Sequence, residues 1–475
     1  MRMPALQLGQ QYVIVGSGGV AAPQNTSNLV CKVNLLPILA LSHLLAQAPT
    51  VQPARIPTLQ RMENTYLERL HQDVLALAKL PRDEAHLANM HDWRCIIHAH
   101  CYQSHDSRGT IEDISTAARS VGIDCIFMSD HPRTNYDVVA KGPHGIFNSV
   151  LFVPGSETDG FTLYPGNYTL PKLNVGEQNI CNEIKQSNGM LFIAHPEEHS
   201  DWNLKNLTGM EIYNTHADFR DEKALLGALQ PKKSSEYGLM LKLLNSMKDY
   251  PREAIAAITD PQPDNLVHYD YMCKTKVLAA VAGNDSHQNV GFVVKGTADG
   301  KYQLEDALGE KLALLDAEKT PIIKLLFGPS VPGKELYRRQ LDPYAVSLGY
   351  VNTHVLAPER TEASLRKALA DARTYVAFDW IADPRGTTFT VDTPGSAASL
   401  TIGDTAICSS GMKLKAHTPI AAQTRIVRDG VEIAHGSGTS LEVAAPGPGV
   451  YRMESYLSVG GERRMWILTG AIKLQ

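Results

Sequence analysis

Histidines and carboxylates recur at the ends of short apolar runs between His98 and His287, and these are the residues whose placement could do chemistry. Directly after the run at 94–97 comes His98-Ala99-His100. Side chains alternate along a strand, so both imidazoles can face one side and reach one cation. Such a pair alone is a weak signal, because histidines are common at surfaces and in cores. The runs that follow end in Ser129-Asp130-His131, Pro154-Gly155-Ser156-Glu157, Ala194-His195-Pro196 and Gly283-Asn284-Asp285-Ser286-His287. An accidental pattern would have to set Asp and Glu beside apolar strands repeatedly, although an unpaired buried carboxylate is costly.

Histidine nitrogen combined with carboxylate oxygen suits zinc, manganese or iron, whereas calcium and magnesium sites are built mostly from oxygen. Cys101 follows the histidine pair, but strand alternation turns it away from His98 and His100, so it is not expected as a ligand. Arg108, Arg133 and Arg220 lie near these loops and could clamp an anionic substrate, or simply be solvated surface arginines. His199 and Asp201 follow His195-Pro196 closely and are expected to face water.

Bringing these residues together requires a scaffold that gathers successive strand ends. Apolar runs at 94–97, 125–128, 150–153, 190–193 and 277–282 alternate with helical segments, the pattern of βα units. In a barrel of parallel strands the loops at the carboxyl ends converge on one mouth. The first intervening helix is marked by a capping box at Thr110 and Asp113, an apolar face of Ile114, Ala117, Ala118 and Val121, and Gly122 at its end. Upstream, Leu67, Leu70, Val74 and Leu77 predict an amphipathic helix over 60–80. Residues 217–275 are polar and read as excursions from the barrel, with 239–247 helical. Thr361 can cap a helix through Ala372, a strand follows at 375–378, and the pattern changes near Asp383. Beyond it, alternating runs such as 424–427 and 450–457 are separated by Asp-Gly, Pro-Gly and Gly-Gly turns, the signature of a small β-sandwich.

The 475 residues, 43% hydrophobic and 20% charged, fit a soluble globular protein of two or three domains. A net charge of −5 with dispersed Lys and Arg gives no basic field, so nucleic acid is not an expected partner. Seven cysteines form no CxxC pair and read mostly as buried thiols. The apolar stretch at 33–45 is broken by Asn34, Pro37, Ser42 and His43 and is too short to span a bilayer, so no transmembrane anchor is expected. Lys32 before it and Ala46-Gln47-Ala48 after it fit a secretory signal over about 30–48, which implies translation from near Val30, a mature chain from near Pro49 and a periplasmic or secreted location. The alternative is an ordinary N-terminal helix packed on the domain. The expected layout is a leader over 1–48, a linker and helix over 49–91, a metallohydrolase barrel over 92–382 and a β-sandwich domain over 383–475.

The full motif series, His98-Ala99-His100, Ser104-His105-Asp106-Ser107, Ser129-Asp130-His131, Pro154-Gly155-Ser156-Glu157, Ala194-His195-Pro196 and Gly283-Asn284-Asp285-Ser286-His287, resembles the PHP (polymerase and histidinol phosphatase) superfamily over roughly residues 92–290. Within it, the series resembles the exported branch related to carbaryl hydrolase. The resemblance implies an α/β fold with a distorted (βα)7 TIM-like barrel. It also implies two or three divalent cations, Zn2+, Mn2+ or Fe2+. Carried over by position, the first would be held by His98, His100, Glu157 and Asp285, with Glu157 bridging to a second that takes His195 and His216. A third would take His131, His287 and either His105 or Asp106; many members have Asp where this chain has His105.

Bridged cations would lower the pKa of a shared water toward 7, and the resulting hydroxide would attack phosphorus or a carbonyl carbon with no covalent protein nucleophile. The residues expected to act in catalysis are Asp285, His131 and Asp130, the last by orienting a ligand such as His131 or else by capping a helix. The leading expectation is a phosphoesterase, a phosphatase or phosphodiesterase, acting on a small-molecule phosphate ester. One alternative is a carbamate, ester or amide hydrolase of the carbaryl-hydrolase type. Another, of a different class, is a metal-stabilised binding protein recognising a glycan or a partner; a catalytic site would keep a coordination position open, and a structural one would not.

Overall fold

A computed structural model describes residues 55–229 and 234–475. The expected leader over 1–48 lies outside the described residues, and among those described no helix is long and apolar enough to cross a membrane. The expected N-terminal helix is Asn64–Leu77: Leu67 and Leu70 are fully buried, while Val74 and Leu77 pack partly buried against the core.

Two runs of parallel strands carry the site. His91–Ile96 pairs in parallel with Cys125–Phe127, and that strand with Val150–Val153. Met190–Ile193, Gly209–Asn214 and Ala279–Gly283 form the second run, extended on one side by the antiparallel hairpin of Ser156–Thr158 and Phe161–Tyr164. Val150–Val153, Met190–Ile193, Gly209–Asn214 and Ala279–Gly283 are buried at every residue, as parallel strands covered on both faces must be. The two runs belong to different sheets, but their carboxyl ends touch. Ala99 bridges Ser286 in parallel, His100 N donates to Ser286 O at 2.9 Å, and Glu157 N donates to Ser129 O at 3.0 Å.

The helix Ile111–Ser120 begins with the expected capping box, Thr110 Oγ1 accepting from Asp113 N while the Asp113 carboxylate accepts from Thr110 N. Thr361 caps Glu362–Ala370 by accepting from Ser364 N, and Tyr237–Asp249 covers the expected helical stretch at 239–247. Gly209–Asn214 escapes the apolar-run criterion because Glu211 interrupts it. Residues 291–340, expected inside the barrel, form instead a separate four-stranded antiparallel sheet with a small core around Val294, Tyr302 and Ile323.

Beyond Asp383 the strands Lys413–Arg428, Val431–Ala444 and Gly449–Val459 are long, and Asp429-Gly430 joins the first two with both φ angles positive, 51° and 85°, as a tight hairpin turn requires. Hydrogen bonding crosses the expected domain boundary rather than stopping at it. Glu462–Thr469 pairs with Thr374–Ala377, that strand with Asn352–Ala357, and that one with His91–Ile96, all antiparallel. The fold is mixed α/β, with a 14-stranded sheet that leads from the C-terminal strands to the first strand of the site.

Candidate metal centre

The carboxyl ends of the parallel strands, Gly209–Asn214 excepted, each contribute a side chain to one place. His98 and His100 follow His91–Ile96, His131 follows Cys125–Phe127, Glu157 lies in Ser156–Thr158, His195 follows Met190–Ile193, and Asp285 and His287 follow Ala279–Gly283. The donor atoms of His98, Glu157, His195 and Asp285 all lie within 4.8 Å of one another, and so do those of His100, Asp106, His131 and His287.

The spacing is that of ligands around shared centres. Donors bound at about 2.0–2.1 Å to one ion sit about 3.0–3.4 Å apart in tetrahedral or octahedral geometry. His98 Nε2 and His100 Nε2 lie 3.0 and 3.1 Å from Glu157 Oε2, and 3.2 and 3.3 Å from Asp285 Oδ1. The other oxygens of the two carboxylates face His195, with Glu157 Oε1 at 3.1 Å and Asp285 Oδ2 at 3.6 Å from its Nε2. Each carboxylate thus turns one oxygen toward the His98–His100 pair and the other toward His195. Asp106 Oδ2 stands 3.4 Å from His131 Nε2 and 3.3 Å from His287 Nε2. Asp285 Oδ1, Asp106 Oδ1 and His287 Nε2 are buried with no hydrogen-bond partner, so these groups meet without satisfying one another. A divalent cation fits this donor set.

Five imidazoles are oriented alike. The Nδ1 of His98 lies 2.7 Å from Glu211 Oε1, that of His195 3.2 Å from Glu197 Oε1, and that of His100 3.0 Å from Ser104 Oγ. The Nδ1 atoms of His131 and His287 face the backbone carbonyls of Glu157 at 3.4 Å and Asp285 at 3.0 Å. A carboxylate or carbonyl can only accept, so it draws the proton to Nδ1 and leaves the Nε2 lone pair for the cluster.

Glu211 is the functional residue that sequence reasoning missed. It is buried, supports His98 through Oε1, and accepts from His195 N at 3.0 Å and Asn214 Nδ2 at 2.7 Å through Oε2. Gly283 makes room for it: a Cβ there would stand 2.5 Å from the Glu211 carboxyl carbon and Oε1. The signal was a carboxylate inside an otherwise apolar strand. His195 and Asp285 hold φ angles of 47° and 48°. Such non-glycine conformations cost roughly 1–3 kcal/mol and cluster at functional sites, where the surroundings over-determine them.

The field of the site favours positive charge at most of its histidines, His100 excepted, whose pKa burial and the neighbouring His287 lower. Burial opposes protonation of His98, but Glu157, Asp285 and Glu211 outweigh it and raise its pKa well above the usual value. Burial likewise opposes the charged His195 and His287, yet Glu157 and Glu197 lift the first to about 11, and Asp285 and Asp106 lift the second to about 9. The reverse holds for Glu157 and Asp285, which the surrounding imidazoles keep well below the carboxylate range despite burial. Protons and cations therefore compete for the same atoms.

The remaining expected residues fall around this centre. His216 Nδ1 lies 2.8 Å from Asp285 Oδ2, but the ring is half exposed and outside both clusters. His105 is exposed, its ring centre 5.2 Å from that of His131; Asp106 is the residue of that loop within the cluster. Asp130 does not orient His131 and caps no helix. Its carboxylate turns the other way, accepting from Cys101 N at 2.8 Å and Cys101 Sγ at 3.2 Å, and so pins the loop after the histidine pair. Cys101 is buried there, away from the cluster. Arg133 donates to Ser104 O at 2.8 Å and braces the same loop, Arg108 is exposed, and Arg220 pairs with Glu198 at the surface. His199 packs edge-on between Phe161 and Trp202 instead of facing water, while Asp201 is exposed.

No protein-family model matches this sequence, and no curated protein matches it. Among solved structures, a two-domain protein from Bacteroides vulgatus containing a predicted PHP-like metal-dependent phosphoesterase aligns with 82% of this chain and 98% of its own, at 13% identity and a TM-score of 0.31. A likeness that loose carries no functional weight, so function has to be read from the side chains themselves.

Proposed function

We propose that this chain is a metal-dependent phosphoester hydrolase of the PHP kind, its site set at the mouth of a distorted (βα)7 TIM-like barrel and holding two or three Zn2+, Mn2+ or Fe2+ ions. The observation that supports it most is the common orientation of His98, His100, His131, His195 and His287, each with Nδ1 engaged outside and Nε2 turned to Glu157, Asp285 or Asp106. His98 and His100 would share one ion with Glu157 Oε2 and Asp285 Oδ1. His195 would share a second with the other oxygens of the two carboxylates, His216 standing at its edge. His131, His287 and Asp106 would take a third.

Bound there, the ions would polarise phosphoryl oxygens and lower the pKa of water. The chain's own contribution is to fix their ligands. Glu211 sets the tautomer of His98 and ties the backbone of His195, and the left-handed backbone at Asp285 aims its carboxylate between the groups. Cys101 is no nucleophile in this scheme, since burial and Asp130 push its thiol pKa up. A binding protein with structural metal has no need of two carboxylates each offering oxygens to two neighbouring sets of imidazoles. The leader reading adds a periplasmic or secreted location, which N-terminal sequencing of exported material would check.

The test is metal analysis with turnover of p-nitrophenyl phosphate, bis-p-nitrophenyl phosphate and naphthyl carbamate by the full chain and by Asp285→Ala. Two or three ions per chain and phosphate-ester turnover that falls more than about 100-fold in the variant are expected. Turnover of the carbamate alone would replace this reading with the carbaryl-hydrolase one, and bound metal with no turnover would overturn both.

A further inference from the structure

Beside the cluster opens a cleft of about 340 Å³, bordered at one end by Asp106, Asp285 and His287. That volume lies at the lower end of the range for small-molecule sites. One wall is apolar and comes from the helices that follow Gly209–Asn214: Phe219, Leu226, Met247, Ile255 and Ile258. The floor is different. Asn284 Oδ1, Ser286 Oγ and Ser347 Oγ line it, and each is a buried oxygen with no hydrogen-bond partner. Buried polar atoms are nearly always satisfied, so these oxygens, with Thr215 Oγ1 of the wall also unpartnered, point to a ligand that brings its own donors or acceptors.

The charge of the lining narrows the ligand further. Arg220 is its single Lys or Arg, and it is exposed and paired with Glu198. Three carboxylates, Asp106, Asp285 and Asp342, line the same space. Asp106, Asp285 and His287 belong to the cluster; away from it the lining offers a further phosphate or carboxylate no Lys or Arg but Arg220, already paired with Glu198, and sets Asp342 against it. Among the lining residues of the wall the polar side chains, Thr215, His216 and Arg220, all lie on its first helix, so a sugar set against Met247, Ile255 and Ile258 would find no hydroxyl partner there.

Resting on the phosphoesterase reading, we infer that the substrate is a phosphate ester whose organic group is neutral and largely apolar, an aryl or medium-length alkyl group with a polar atom or two at its far end. The ester phosphate sits at the metal cluster, the apolar body lies against Phe219, Met247, Ile255 and Ile258, and the polar atoms reach Asn284, Ser286 and Ser347. The wall sets specificity and the cluster sets chemistry.

The experiment measures kcat/KM of the full-length, Mn2+-loaded chain on methyl, propyl, butyl, hexyl and phenyl phosphate, with glucose 6-phosphate and a nucleoside diphosphate as charged or polar competitors. Each methylene that enters the cleft should raise kcat/KM about fourfold, from the transfer energy of a buried CH2. The polar and polyanionic compounds should be turned over more slowly than hexyl phosphate. Ile255→Glu should flatten the series while metal content stays at the wild-type value, and Ile255→Val should keep the slope, which separates loss of the wall from loss of folding. A wild-type series with no dependence on chain length, in a protein that does hydrolyse phosphate esters, would overturn the inference and leave the phosphoesterase reading in place. Loaded metal with no phosphate ester hydrolysed at all would overturn the underlying reading.

Discussion

Replacing Glu211 by Gln should lower metal affinity and turnover about 10- to 100-fold with the fold intact, because the neutral amide no longer draws the proton to His98 Nδ1 or holds His195 N as strongly. Metal titration of the folded variant by calorimetry checks this, and unchanged affinity would remove Glu211 from the site. The seven residues gathered by the strand ends, His98, His100, His131, Glu157, His195, Asp285 and His287, were legible because each stands at or just past an apolar run, where a polar residue has no packing reason to be. Glu211 was not, since it sits within a strand and its partner Gly283 is more than seventy residues away. Asp130 was misread for a related reason. Adjacent residues in extended chain face opposite ways, so the carboxylate next to His131 turns toward Cys101.

A buried charge network links three neighbouring strands of the large sheet. His354 in Asn352–Ala357 lies with Nδ1 2.6 Å from Asp92 Oδ1 in His91–Ile96 and Nε2 3.2 Å from Asp379 Oδ2, just past Thr374–Ala377, while Tyr375 donates to Asp92 and Arg94 pairs with Asp379 at 2.7 Å. Burial opposes its charge, but Asp92 and Asp379 raise its pKa to about 9. A folded pKa above the unfolded value near 6.5 means the stabilisation is full below about pH 6.5 and is lost as pH rises through 9. The loss amounts to at most about 3 kcal/mol. Urea unfolding of the metal-free chain should show that decline between pH 6 and 9.5 in the wild type and a smaller one in His354→Asn; equal slopes would contradict it. Elements were legible where local signals are strong: the runs at 150–153 and 190–193 match the strands Val150–Val153 and Met190–Ile193, and the capping residues at Thr110 and Thr361 mark true helix starts. The hairpin Ser156–Tyr164 and the sheet at 291–340 were not, because short alternating strands are recognised by their partners more than by their own composition.

The described residues form one compact unit, and the reason lies in pairings between distant segments. Glu462–Thr469 supplies the neighbour of Thr374–Ala377, and Arg61 reaches from the N-terminal helices to Glu462 at 2.7 Å, both side chains buried. Truncation after residue 383 should therefore leave a chain that does not unfold cooperatively by circular dichroism; a stable truncated protein would show an independent C-terminal domain. Composition and turn residues disclosed that this region is β, while its continuity with the strand that carries His98 and His100 depends on a register no local pattern encodes. The most direct test of the metal-hydrolase account is to strip the full chain with chelator, add Mn2+ or Zn2+ stepwise, and follow p-nitrophenyl phosphate hydrolysis against bound metal. Activity absent in the stripped protein and saturating at two or three ions per chain is the predicted result. Activity indifferent to chelation, or full occupancy without hydrolysis, would contradict it.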